Sequence, residues 1–278
     1  MTGETLLGWI EPDDIHVMTF NIRRPVRRSL RRADAWGVRR ERVRGMLARE
    51  QPTILGVQEA LPSQARVVAE ALGARYRRVG HGRGADGGGE GCPLFFDAER
   101  LALIAWEQAA LSSTPSVPGS RSWGNVLPRI VVSARFVDRR TGARFRVLNT
   151  HLDHLSRRSR ERSADAIRRT VLEEDEPVIL LGDLNARLES TAVRVLLDDD
   201  VLRDAWRIAG RRVTPEWSTF ADYRHPRVGA GRIDWILTTS GIRVLRMGIN
   251  PHRFDGGWPS DHLPVQAVVR VEPSGDRS

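Results

Sequence analysis

The 278-residue chain reads as an α/β protein. Short apolar runs of strand length interleave with amphipathic helical stretches, and no composition shift or linker divides them. Strand and helix do not strictly alternate, so a mixed sheet or two packed sheets is expected in preference to a parallel barrel. The expectation is one domain over residues 1–278, with its core at about 15–271 and a frayed tail at 272–278.

Taken in order, "DIHVMTFNI" (14–22) is a β-branched and apolar strand that ends at Asn21. The arginine-rich stretch 23–50 follows, and Val38, Val43, Met46 and Leu47 mark a helical stripe in its second half. "PTILGVQEA" (52–60) is a buried strand ending in Gln58 and Glu59, and Pro62-Ser63 starts a helix that runs to Gly73. The glycine-dense "GHGRGADGGGEG" (80–91) is a loop, read as a flexible hairpin tip. Strands near 93–97 and 101–110 precede a Pro/Ser/Gly loop at 112–128. "RIVVSARFVD" and "ARFRVLNTHLDH" form a pair around a turn at Thr141-Gly142. Ser156 caps a helix whose stripe is Ala164, Ile167, Val171 and Leu172. "EPVILLGDLNA" is a fully apolar strand; a helix near 190–198 and strands near 232–238, 242–249 and 263–271 complete the chain.

Apolar residues make up 40% and charged residues 28%, as in a globular protein with a sizeable core. No run nears the ~18–20 apolar residues of a membrane span, and the N-terminus lacks a basic flank before its short apolar run. Cys92 stands alone, which excludes an internal disulfide and a cysteine-based zinc site and fits the cytoplasm. The net charge of +9 invites phosphate-rich partners, nucleic acid among them. Every cation in that count is Arg and none is Lys, so a chain-wide coding bias contributes to it as well as binding.

The chemistry lies where apolar strands stop. "TFNI" delivers Asn21 and "GVQE" delivers Glu59; "LNTHLDH" delivers Asn149, His151, Asp153 and His154. "LLGDLN" delivers Asp183 and Asn185, "RIDWIL" delivers Asp234, and "SDHLPV" opens with Asp261 and His262. Polar ends of adjacent strands would converge on one site. Asn, Glu and Asp oxygens make a hard ligand set suited to Mg²⁺ or Mn²⁺, and a His beside Asp moves protons near neutral pH. No G-x-S-x-G elbow is present, and a chain without Lys has no P-loop.

In this order "FN", "QE", "NTHLDH", "GDLN", "RIDWI" and "SDH" resemble the endonuclease/exonuclease/phosphatase superfamily, from about residue 15 to 271. "WGVRRERV", "GGGEGCPLFF" and "TPSVPGSRSWGNVLPR" are similar to a bacterial branch of it. The resemblance implies a four-layer sandwich of two face-to-face mixed β-sheets flanked by helices. It also implies a phosphoesterase that uses Mg²⁺ (or Mn²⁺) on a phosphomonoester or phosphodiester, in nucleic acid or a small metabolite; a monomer is expected. Asn21, Glu59 and Asp261 would hold the metal. Asp183 would orient or deprotonate the attacking water, and Asn185 would donate to the developing charge. His262, oriented by Asp234, would carry a proton, and His151 would approach the phosphate from the other side. Glu90 is the expected partner of His151; Arg129, Asn149, Asp153 and His154 are expected to support these residues from behind or to touch phosphate, and Trp235 and Trp258 to pack the site wall.

Two other readings remain in view. "NTHLDH" matches the H-x-H-x-D-H motif of the metallo-β-lactamase fold except that Asn149 replaces the first His, a poor zinc ligand. A basic phosphate-binding module with a decayed site would not need an acid–amide–histidine set.

Overall fold

A computed structural model describes residues 4–26 and 31–272, so the tail expected to fray lies, but for Glu272, outside the described residues. A seven-stranded sheet contains β1 (Ile15–Asn21), β2 (Ile54–Gln58), β3 (Tyr76–Val79), β4 (Leu94–Asp97), β10 (Arg211–Arg212), β12 (Ile242–Ile249) and β13 (Val265–Val271). A six-stranded sheet contains β5 (Leu101–Ala110), β6 (Ile130–Asp138), β7 (Arg144–His151), β8 (Val178–Asp183), β9 (Arg203–Asp204) and β11 (Asp234–Thr238). Their orders are β10-β12-β13-β1-β2-β4-β3 and β5-β6-β7-β8-β11-β9, and both mix parallel with antiparallel pairs.

Side-chain alternation explains the layering. Along β1, Ile15 and Val17 pack between the sheets with Phe136, Val147 and Ile179. Met18 and Phe20 turn the other way, onto Val43, Met46 and Leu47 of α1 (Trp36–Glu50) and onto Val68 of α2 (Pro62–Leu72). On β8, Ile179 and Leu181 face inward; Val178 and Leu180 meet Ile167 of α3 (Arg157–Leu172) and Val193 of α4 (Thr191–Leu197). A strand buried on both faces has no polar alternation, which is why these segments read as continuous apolar runs. The result is helix, sheet, sheet, helix.

The helix boundaries follow local chemistry. Pro62 occupies the first position of α2, and Gln64 Oε1 accepts from the Leu61 N–H at 3.2 Å. Ser156 Oγ accepts from the Ser159 N–H at 3.1 Å and starts α3. β3, β9, β10 and a four-residue α5 (Ala205–Ile208) have no counterpart in the sequence reading. Each is too short to show a period, and β3 exposes Arg77 and Arg78 at the sheet edge.

The loop at 80–91 differs from a free hairpin tip. Gly82 N–H donates to the Gly87 carbonyl and Arg83 N–H to the Glu90 carbonyl, each at 2.9 Å. Gly91 then pairs with Ala60 beside the end of β2. A Cβ at Gly82 would collide with the Gly88 carbonyl, so glycine here permits close backbone approach.

His16 on β1 sets a pH limit on stability. Its Nε2 lies 3.0 Å from Gln266 Oε1 on β13, and burial pushes the ring down from 6.5 to about 4, against the opposing hydrogen bond. The unfolded chain therefore takes up the extra proton: the contribution is whole above pH 6.5 and is lost as pH falls towards 4. Urea midpoints measured from pH 7 to pH 5 should drop less steeply in His16→Gln than in the parent, by up to about 1.4 kcal/mol per pH unit. Parallel curves would rule out this contribution.

Candidate active site

Strand parity carries the polar ends to one place. Asn21, Asn149, His151, Asp183 and Asp234 continue the inward-facing positions of β1, β7, β8 and β11 beyond the last apolar residue. In the ladder His151 stands opposite Asp183, and Asp183 opposite Asp234. Glu59 leaves β2 with a left-handed backbone (φ 59°), strained for a non-glycine residue, and Asn185 does so after β8 (φ 46°). Glu59, His151, Asp183, Asn185, Asp261 and His262 line one cavity of about 290 Å³, while Asn21 and Asp234 lie beneath it.

Asp183 is the hub. Its Oδ1 accepts from the Asn185 N–H at 2.9 Å and its Oδ2 from Asn21 Nδ2 at 3.0 Å. His151 Nε2 and His262 Nε2 stand 3.6 and 3.8 Å from that second oxygen. Burial, and then the Asp234 charge, raise the proton affinity of Asp183. Asn21 Nδ2 also reaches Glu59 Oε1 at 3.1 Å, and the Arg24 N–H donates to Glu59 Oε2 at 3.0 Å. Burial opposes the Glu59 charge, but the His151 and His262 rings and these donors outweigh it and bring the carboxyl to about 2.

The two imidazoles are driven apart. Burial pushes His151 down to about 4 despite Asp183, and Asn185 Nδ2 lies 2.9 Å from its Nε2, which therefore carries the lone pair. For His262, burial is overcome by Asp234 and Asp183, which raise it to about 10. Its Nδ1 donates to Asp234 Oδ2 at 2.9 Å, so at neutral pH it is an imidazolium held by a buried carboxylate. Phe220 packs edge-on against it at 5.1 Å between centroids. Phe220 was not legible as a site residue, because the loop segment "STFADY" that carries it has no apolar run to end.

The donor set fits a hard dication. Glu59, Asp183 and Asp261 bring carboxylates to the cavity, and the Asn21 NH₂ bridges two of them where a cation would otherwise neutralise. The buried Asp234 Oδ1 has no hydrogen-bond partner. Asp183, Asp234 and His262 also offer ligand atoms within 4.8 Å of one another, but His262 is protonated and committed to Asp234. The Glu59 and Asp261 carboxylates carry no such ring proton, and Asn21 would add its amide oxygen by giving up the Arg23 N–H, 2.9 Å away.

Several expected contacts differ. Glu90 reaches the cavity, but its oxygens pair with Arg24 (3.1 Å) and Arg83 (2.8 Å) in place of His151. Arg129 is buried on the cavity wall, held by Asp153 at 3.1 Å and by the His154 ring at 3.0 Å. Trp235 faces the outer helix layer, as its odd parity beside Asp234 requires, and donates to the Ala186 carbonyl. Trp258 donates to the Pro251 carbonyl, and neither ring lines the cavity. Asn149 lies in the core: its Nδ2 donates to the carbonyls of Val57, Cys92 and Pro93, and its Oδ1 accepts from Gln58 at 2.7 Å. A zinc site of the H-x-H-x-D-H kind thus lacks its first ligand.

Fold and site together define a hydrolase of phosphoester bonds: two stacked mixed sheets whose seam ends in an acid–amide–imidazole cavity. The chain belongs to the Endonuclease/Exonuclease/phosphatase family, whose profile matches residues 18–262 and whose members generally use divalent metals. It is similar to a family member from Bacteroides thetaiotaomicron (28% identity, 93% of this chain and 98% of that one, TM-score 0.87). A Bacteroides vulgatus member is similar too (30% identity, 93% and 99%, TM-score 0.85). So is a mannosyl-6-phosphatase from Bacteroides thetaiotaomicron (27% identity, 92% and 99%, TM-score 0.85). No curated protein gives a match.

Asn149→Ala would strand buried carbonyls and the Gln58 amide. It should lower unfolding free energy by at least about 2 kcal/mol, read from denaturant midpoints. A change under about 0.5 kcal/mol would show that the cross-sheet bridge contributes nothing.

Proposed function

We propose that the protein is a Mg²⁺- or Mn²⁺-dependent phosphoesterase acting on a small phosphorylated metabolite by in-line attack of water. The observation that carries it is the Asp234–His262 pair at 2.9 Å, with His262 Nε2 facing Asp183 3.8 Å away at the cavity floor. Asp183, its proton affinity raised by burial, would align water and take its proton as the new bond to phosphorus forms. His262 would hold its Nε2 proton against the phosphoryl oxygens, and the Asn185 amide would turn from its present acceptors, His151 Nε2 and the Leu152 carbonyl, to donate to them from the other side. The ester oxygen leaves as its bond to phosphorus breaks and takes up a proton from solvent, to which Asp183 returns the one it took from water. Asn21, Glu59 and Asp261 would hold the cation, which when bound neutralises phosphate charge and polarises the P–O bonds.

Support for a small substrate is the cavity of about 290 Å³ and the likeness to a mannosyl-6-phosphatase. The reading includes a cytoplasmic setting, for which the support is the single buried thiol of Cys92, pushed up to about 12 by burial. No helix of the described residues is long and apolar enough to cross a membrane.

A panel of p-nitrophenyl mono- and diesters, sugar phosphates and oligonucleotides tests the reading. Asp183→Asn and His262→Gln should each lower turnover by roughly 10²–10³-fold or more with the circular dichroism spectrum unchanged. Wild-type rates in these variants would sink the assignment. Chelation should abolish activity, and Mg²⁺ or Mn²⁺ should restore it; restoration by Zn²⁺ alone would favour a zinc hydrolase. Oligonucleotide cleavage that falls steeply with salt would point to nucleic acid as the substrate instead. Phosphate binding without turnover of any ester would make the chain a binding module.

A further inference from the structure

Arg83 and Arg129 have no task in the hydrolytic steps above, yet both line the same cavity. They also flank a narrow slot beside Glu59, Glu90 and His151. Their side chains are 12% and 2% exposed, so both guanidinium groups are largely out of water. Desolvation and then the neighbouring Arg129 work against the Arg83 charge, with Glu90 supporting it. Two desolvated cations that press on each other are unfavourable unless an anion completes the arrangement.

The carboxylates present do not complete it. Glu90 is shared, with one oxygen on Arg83 at 2.8 Å and the other on Arg24 at 3.1 Å. Arg129 pairs with Asp153 through Nε and with the His154 ring through Nη2. Once Glu59, which lines the same slot, serves the cation, three guanidinium charges meet two carboxylates, Glu90 and Asp153; Arg83 makes one ion pair and Arg129 Nη1 only a 3.5 Å contact to the His151 carbonyl, so both forks keep N–H groups for an anion. A planar fork is suited to bidentate contact with phosphate oxygens. A terminal phosphate carries close to two charges and three free oxygens, whereas a diester carries one charge and two. The surplus cations are matched to the former.

We propose that Arg83 and Arg129, with Arg24 at the mouth, form an anion subsite that selects phosphomonoesters over phosphodiesters. The proposal rests on the hydrolase reading. Arg83 is the residue to change, since it sits on a loop, whereas Arg129 is buried in an ion pair with Asp153. Wild-type protein with Mg²⁺ or Mn²⁺ should show a higher kcat/KM on p-nitrophenyl phosphate than on bis(p-nitrophenyl) phosphate. Arg83→Met should lower that monoester-to-diester ratio by at least about tenfold, chiefly through KM, as expected for one lost charge-assisted contact. Arg83→Lys should recover part of it, and Arg24→Ala, at the exposed lip, should move it the same way by less; thermal melts check the fold of each.

A wild-type preference for the diester, or a ratio unmoved in both Arg83→Met and Arg24→Ala, overturns the subsite. Cleavage of neither ester brings down the hydrolase reading, and titration with inorganic phosphate, with and without Mg²⁺, then decides. Saturable binding that weakens about tenfold in Arg83→Met upholds the subsite. Absent or unaltered binding sinks it.

Discussion

The Asp183 carboxylate is buried, and a charge out of water must be paired or neutralised. The surroundings of this protein's cavity answer that demand. Asn21 donates from one sheet, the Asn185 N–H closes a turn onto the other oxygen, and two imidazoles stand within 4 Å. Each comes from a different strand end, so Asp183 ties both sheets together at the open edge of the sandwich.

Electrostatics then divides two chemically identical rings. His151 has burial and the Arg129 and Arg83 charges against its proton, and stays neutral. His262 has Asp234 and Asp183 beside it, and stays charged. One cavity thereby presents an acceptor nitrogen and a donor nitrogen at the same pH, the condition for handling both a nucleophile and a developing anion. Phe220 covers one edge of the His262 ring.

Behind the cavity the sheets are locked by a polar bridge inside an apolar core. Asn149 reaches from β7 across to Val57, and Gln58 reaches back to Asn149. Gly56 makes the crossing feasible, since a Cβ there would sit 2.8 Å from Asn149 Oδ1. A satisfied buried amide network of this kind fixes register where greasy contacts alone would tolerate slip.

Much of this was legible in the sequence. Continuous apolar runs announced doubly buried strands, and the polar residue at each inward parity position, Asn21, His151, Asp183 and Asp234, marked a strand end. Ser156 and Pro62 announced helix starts because capping is local chemistry. Glu90 was read as a partner of His151, and Trp235 as site wall; neither contact exists, because side-chain direction beyond a strand end depends on where other loops land. Arg83 and Arg24 lay among many arginines, with nothing in their spacing to single them out. Sequence by itself determined which residues face the seam, since parity along a strand is set residue by residue. Only the tertiary structure decided which charges meet there, because burial and distance across the seam, which set their protonation, exist only once the two sheets close.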